Sequence, residues 1–106
     1  MIAREWKCRC PKHQTEPFLR YLRETGIAES SVLPGYRGAQ VFVREVEQGS
    51  EVTLITFWES LESIEAFAGK AIGKAKLYPE DDKYEIVPDL VVRHYEVVEQ
   101  HIGEVG

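Results

Sequence analysis

The stretch TFWESLESIEAFAG, residues 56–69, carries a β-like segment ending in Phe57 and Trp58 directly into a helical one. Ser60 can cap that helix, because a serine hydroxyl accepts a hydrogen bond from a first-turn N–H. Beyond it Leu61, Ile64, Phe67, Ala68, Ala71 and Ile72 recur every three or four residues, the spacing of one helix face. Gly69 and Gly73 predict that the helix breaks into two short pieces. Whether Phe57, Trp58 and Phe67 are plain core or a pocket wall separates a merely folded domain from a small-molecule site. Phe57 reads as core, and Phe67 with one tryptophan as facing a cavity.

Working outward, AQVFVREVE (39–47) and EVTLITFW (51–58) are rich in β-branched and aromatic residues and read as a hairpin around Gln48-Gly49-Ser50. Upstream, IAREWKCRC (2–10) reads as a first strand ended by Pro11. Thr15, before Glu16 and Pro17, reads as an N-cap. Phe18, Leu19, Leu22 and Ile27 then predict a helix over 15–30. LPGYRG (33–38) is a turn and LYPEDDKYEIVP (77–88) a polar loop. DLVVRHYEVV (89–98) reads as the last strand, and residues 101–106 as a loose tail after a single domain spanning 1–100. The order β-α-β-β-α-β predicts a ferredoxin-like α+β sandwich, with both helices on one face of a four-stranded sheet.

The strands do not alternate cleanly. Val52, Leu54 and Trp58 point one way and Ile55 and Phe57 the other, while Phe42 opposes Val41 and Val43. A second face with several hundred Å² of apolar surface is more than a monomer usually leaves uncovered, roughly. A homodimer packed sheet to sheet is therefore expected.

Composition narrows the function classes. A formal charge of −5 over 106 residues, with scattered Lys and Arg, argues against nucleic acid and anionic membranes as partners. No apolar run approaches the ~20 residues of a membrane span. Arg4 and Glu5 interrupt any signal-peptide pattern, so a cytoplasmic location is expected. Cys8 and Cys10 lie two apart on one strand and point to the same face, a poor geometry for a disulfide with each other.

Taken together, PGYRG, TFWESLESIEAFAG, YPEDDKY and HYEVV resemble the antibiotic biosynthesis monooxygenase-like domain of the dimeric α/β-barrel superfamily, over about residues 2–98. The resemblance implies a small-ligand pocket between helices and sheet in each protomer. It also implies a family of cofactor-free oxygenases, haem degraders, isomerases and proteins of no assigned activity, so fold alone does not name the reaction. The haem degraders use an Asn on strand one and a Trp and a His on the second helix. This chain has no asparagine; Trp6 or Lys7 stands at the first position, Phe67 at the second, and Lys76 or Leu77 near the third. Haem degradation is therefore disfavoured.

Trp6, Trp58, Phe67, Tyr21, Tyr78 and Tyr84 are the aromatics able to line the pocket. His94, in an otherwise apolar strand, is the candidate base, with Tyr78, Tyr84 or Arg4 holding the substrate oxygen. The alternative for His94 is a hydrogen-bonded structural role, at the dimer interface or elsewhere. No metal is expected, since Cys8, Cys10 and His13 lack a fourth ligand. Glu80-Asp81-Asp82 does not match a calcium loop and reads as a solvated loop, or as a flap over the pocket mouth anchored on either side by Tyr78 and Tyr84. The resulting expectation is a cofactor-independent monooxygenase of a small phenolic or enolic molecule. Its rivals are a non-catalytic ligand-binding or stress-related dimer and an isomerase on the same scaffold.

Overall fold

The computed structural model describes residues 1–103. Strand β1 (Ile2–Cys10) lies centrally between β3 (Gly49–Trp58) and two short pieces, β4 (Val87–Pro88) and β5 (Arg93–Glu96). Strand β2 (Tyr36–Val46) forms the outer edge beyond β3, and every pairing is antiparallel. With β4 and β5 sharing one strand position, the order 2-3-1-4 is that of a ferredoxin-like sheet.

On the helix side, β1 presents Arg4, Trp6, Cys8 and Cys10 opposite Thr56, Leu54, Val52 and Ser50 of β3. One helical run covers their centre: α1 (Thr15–Leu22), a π-helical turn (Arg23–Ile27) and α2 (Ala28–Ser31). Phe18 and Leu22 pack there on Cys8, Val52 and Leu54. Helix α3 (Leu61–Ala68) is capped as expected, Ser60 Oγ accepting from the Ser63 N–H at 3.3 Å. Phe18, Val52, Trp58 and Ile64 are each under 2% exposed. Such burial stabilises by ~1.5–3 kcal/mol per side chain.

Several expectations need correction. Thr15 is not a cap but the first residue of α1, and its hydroxyl donates to Ser50 Oγ at 2.9 Å. Strand β2 begins at Tyr36 rather than 39, and the hairpin turns at 47–48. The second piece of the 60–73 helix does not form. Gly69 takes φ 80, the left-handed region where only glycine is unstrained, and the chain leaves α3 there. The predicted strand 89–98 is regular only over Arg93–Glu96. Pro88 has no N–H for the ladder, and Trp6 Nε1 donates to the Asp89 carbonyl at 3.0 Å. Residues 90–92 then bond to the 73–75 segment instead, Ala75 N–H to Leu90 O and Val92 N–H to Gly73 O, each 2.9 Å. The residue 101–106 tail falls partly outside the described residues.

The other sheet face is mixed rather than greasy. Phe42, Ile55, Phe57 and Tyr95 alternate there with Glu5, Lys7, Arg9, Arg44 and Glu51, because β1 places a charge at each outward position after Ala3. Phe57 thus lies on this face, away from the helix-side core. No described helix is long and apolar enough to cross a membrane.

Candidate active site

The break in the fourth strand builds a cavity. Lys76 and Val92, from the 73–76 and 90–92 segments that bond to each other, line it together with Thr25 and Gly26 of the π turn and Leu54 of β3. Trp6, Phe18, Leu22, Leu54, Phe67 and Val92 supply the apolar lining. The void totals about 530 Å³ counted to its open mouth, but only about 40 Å³ admits the centre of a water molecule. At ~10–15 Å³ per water that is room for a few waters, so a ring-sized ligand must part the walls.

Three hydroxyls of the lining are already spent. The Thr25 hydroxyl donates to Tyr21 O at 2.8 Å and that of Ser30 to Gly26 O, satisfying carbonyls beside the π turn. Thr56 Oγ1 accepts from Trp58 Nε1 at 2.8 Å. Four polar side chains remain: Arg4, Lys76, Tyr78 and Asp81.

Arg4 is 4% exposed. Its register partners are Thr56 on β3 and His94 on β5, so the sheet points all three to the helix side. One guanidinium nitrogen, Nη1, donates to Ile72 O at 2.6 Å and lies 3.0 Å from His94 Nε2; Nη2 donates to Lys74 O at 3.1 Å. No ion pair among the described residues includes it. Burial pushes its pKa down to about 10, so it stays a cation at neutral pH. Its carbon centre sits 6.0 Å from the Phe67 ring centre.

Lys76 Nζ stands 4.6 Å from the Phe67 ring centre and 5.6 Å from that of Tyr78, within the range of cation–π attraction. It also pairs with Glu29 at 3.6 Å. The Tyr78 hydroxyl is buried and makes no well-formed hydrogen bond to a described residue. Burial first, and the nearby Glu29 charge second, raise its pKa, so it remains a protonated donor. Asp81 accepts the Tyr78 backbone N–H at 2.7 Å, and burial lifts its pKa above the usual aspartate value.

Of the residues expected from sequence, Arg4, Trp6, Phe67 and Tyr78 line this cavity together. Trp58 lies behind it, fully buried, with Tyr36 edge-on at one side and Phe67 tilted against the other. Tyr84 packs on Phe18 and Tyr21 in the core beside it. His94 is outside the lining, its Nε2 turned to Arg4; that contact requires the neutral ring to accept there, and burial followed by the Arg4 charge lowers its pKa accordingly. Sequence reasoning passed over Asp81 and Lys76. Their only signal was position in the segment flanking Tyr78, and three adjacent acids made Asp81 look solvated. Cys8 and Cys10 are both buried free thiols, and burial raises Cys8 to about 12.

The sequence model of the antibiotic biosynthesis monooxygenase family matches residues 1–74. Tyr78, Asp81 and His94 lie beyond that match. A search of curated proteins finds no match. Among solved structures, a presumed antibiotic biosynthesis monooxygenase from Bacillus cereus is similar at TM-score 0.60 and 19% identity, each chain covered over 100%. A dimeric ferredoxin-like protein from an uncultured marine organism matches at 0.60 and 15%, over 97% of this chain and 100% of its own. A haem degrader from Mycobacterium tuberculosis, with two haems bound in its active site, matches at 0.56 and 20%, over 97% and 100%. At these identities the likenesses establish the fold alone.

Proposed function

Because this chain belongs to the antibiotic biosynthesis monooxygenase family, we propose that it is a cofactor-independent monooxygenase of a small phenolic or enolic molecule. The observation that carries the reading is Arg4, a nearly fully buried cation with no acidic partner at the wall of an apolar cavity. A buried charge left unpaired is costly. A ligand that arrives as an anion, or becomes one, removes that cost. A phenolate or enolate fits both the charge and the aromatic lining.

The anion is the reactive species. Its electron pair can reduce O₂ directly, and the resulting peroxide loses water. With no external reductant, both oxygen atoms must be reduced by the substrate. The carbon attacked is then a CH₂ conjugated to the phenol or enol oxygen: R₂CH₂ and O₂ give R₂C=O and H₂O. Lys76 over Phe67 and Tyr78 adds positive potential, and the Tyr78 hydroxyl offers a donor. His94, the base suggested by sequence, has its lone pair directed at Arg4; we assign it the positioning of the guanidinium.

We further propose a cytoplasmic homodimer joined through the mixed sheet face, closing the two sheets into a barrel. The dimeric character of the marine relative supports this. Haem degradation stays outside the proposal, and a haem titration without a Soret shift would keep it there. The deciding experiment is oxygen uptake with a panel of hydroxyanthrones, comparing wild type with Arg4→Met. Uptake by wild type alone supports the reading. Tight binding without uptake would point to the ligand-binding rival, and rearrangement without uptake to an isomerase.

A further inference from the structure

Two opposite charges line one cavity without meeting. Arg4 and Asp81 both face it, yet no ion pair within 4.0 Å joins them, and neither pairs with any other described residue. In a low-dielectric space such charges attract strongly and collapse together unless each is held. Each is held. Ile72 O, Lys74 O and His94 fix the guanidinium, and the Tyr78 N–H fixes one carboxylate oxygen of Asp81. The second carboxylate oxygen makes no hydrogen bond to a described residue.

We propose that Asp81 is the catalytic base of this cavity, with the substrate seated between its carboxylate and the Arg4 guanidinium. The assignment rests on reading the cavity as a phenol or enol site. Among the described residues Asp81 is the only carboxylate in the lining. The other groups are unsuited: His94 has spent its lone pair on Arg4, Lys76 is a paired cation, and Tyr78 holds its proton. Burial has already moved the Asp81 carboxyl toward the basicity that a proton acceptor near neutral pH needs.

The step balances without a co-reactant other than O₂. The substrate O–H or activated C–H proton passes to the Asp81 carboxylate, and its electron pair stays on the anion beside Arg4. That pair forms the C–O bond to O₂. Asp81 returns the proton to the outer peroxide oxygen. Loss of the remaining C–H proton with cleavage of the O–O bond releases water and leaves the carbonyl.

Asp81→Asn tests the role, since its amide oxygen can still accept the Tyr78 N–H and the loop is kept. With dithranol as substrate, kcat should fall about 100-fold while KM changes little. At alkaline pH, where dithranol is already ionised in solution, the variant should recover toward wild type. A residue that only shapes the loop would not give that recovery. The groups able to distort the profile are Tyr21 from α1, Cys8 and Arg4 from β1, and Lys76, Tyr78 and Asp82 from its own segment.

A second readout needs no turnover. Below the pKa of 4-nitrophenol, binding to wild type should produce nitrophenolate absorbance without releasing a proton to buffer, because Asp81 keeps it. Asp81→Asn should release that proton or bind the neutral phenol. Release of the proton to buffer by wild type, an unchanged kcat in Asp81→Asn, or no binding of 4-nitrophenol would overturn the assignment. Retained protons without oxygen uptake would uphold the base and sink the monooxygenase reading alone.

Discussion

The sheet buries one charged side chain on each face and treats the two in opposite ways. Glu51, 7% exposed, faces away from the helices and is surrounded by cations. Arg44 reaches it at 2.9 and 3.4 Å, Arg9 at 3.6 Å and Lys7 at 3.8 Å. Arg9 and Arg44 are its direct cross-strand neighbours on β1 and β2, so this cluster ties three strands in register. Arg4, 4% exposed, faces the helices and meets only carbonyls and an imidazole. The contrast separates two meanings of a buried charge. One neutralised in place is accounted for by architecture; one left bare is accounted for by something that binds.

The hardest test of that contrast is Arg4→Met. Binding of 4-nitrophenolate should weaken about 100-fold, the loss of roughly 3 kcal/mol expected for charge-assisted bonds in a dry site. The thermal midpoint should move little, since removing an unpaired charge offsets the two carbonyls left without donors. A variant that unfolds yet binds normally when folded would make Arg4 a structural residue like Glu51.

Next in size is the response to pH at His94. Its folded pKa is lowered, chiefly by burial and then by Arg4. The unfolded chain therefore takes up the proton first. The stability from His94 is full above about 6.5 and is lost as pH falls through the lower folded value. Protonation also removes the acceptor for Arg4, so nitrophenolate binding should drop severalfold over the same window. His94→Gln, which keeps an acceptor, should flatten both curves. If the wild-type curves are already flat, the imidazole does not position Arg4.

Glu51 should show the opposite kind of dependence, confined to stability. Its pKa is lowered, first by the hydrogen bond from Arg44. Its contribution is present above about 4.5 and disappears as pH falls through the lower folded value. Glu51→Gln should cost about 1 kcal/mol at neutral pH, since Arg9 and Arg44 are largely exposed, and should leave ligand binding unchanged. A larger loss that depends on protein concentration would place the cluster inside the proposed dimer interface.

How legible this was in sequence follows the range of the forces. The hairpin, α1 and the Ser60 cap are local, set by β-branched runs, helical spacing and a hydroxyl. The fold class followed from them. The cavity depended on a long-range accident that no periodicity carries: Pro88 breaks the fourth strand, and residues 90–92 turn to pair with 73–75. That detour brings Ile72 and Lys74 to Arg4 and places Val92 in the wall. Arg4, Trp6, Phe67 and Tyr78 were readable as candidates because their residue types suit such a site. His94 was conspicuous in an apolar strand, but the register that sets it against Arg4 was not visible. Asp81 was hidden among its acidic neighbours, because burial of one acid out of three is decided by packing.

The smallest predicted effect concerns Tyr78, whose hydroxyl is the buried side-chain polar atom left without a hydrogen bond among the described residues. A buried hydroxyl with no hydrogen bond has given up water for nothing, so Tyr78→Phe should stabilise the empty protein by up to about 1 kcal/mol. If the hydroxyl donates to the bound anion, the same change should weaken 4-nitrophenolate about fivefold, roughly 1 kcal/mol in the other direction. Its raised pKa keeps it a donor through mildly alkaline conditions, so that difference should not vary between pH 7 and 9, roughly. Melting curves and ligand titrations on the two proteins measure both signs. A phenylalanine variant that loses stability without losing affinity would show that the hydroxyl is bonded within the fold, and would move Tyr78 to the Glu51 side of the contrast.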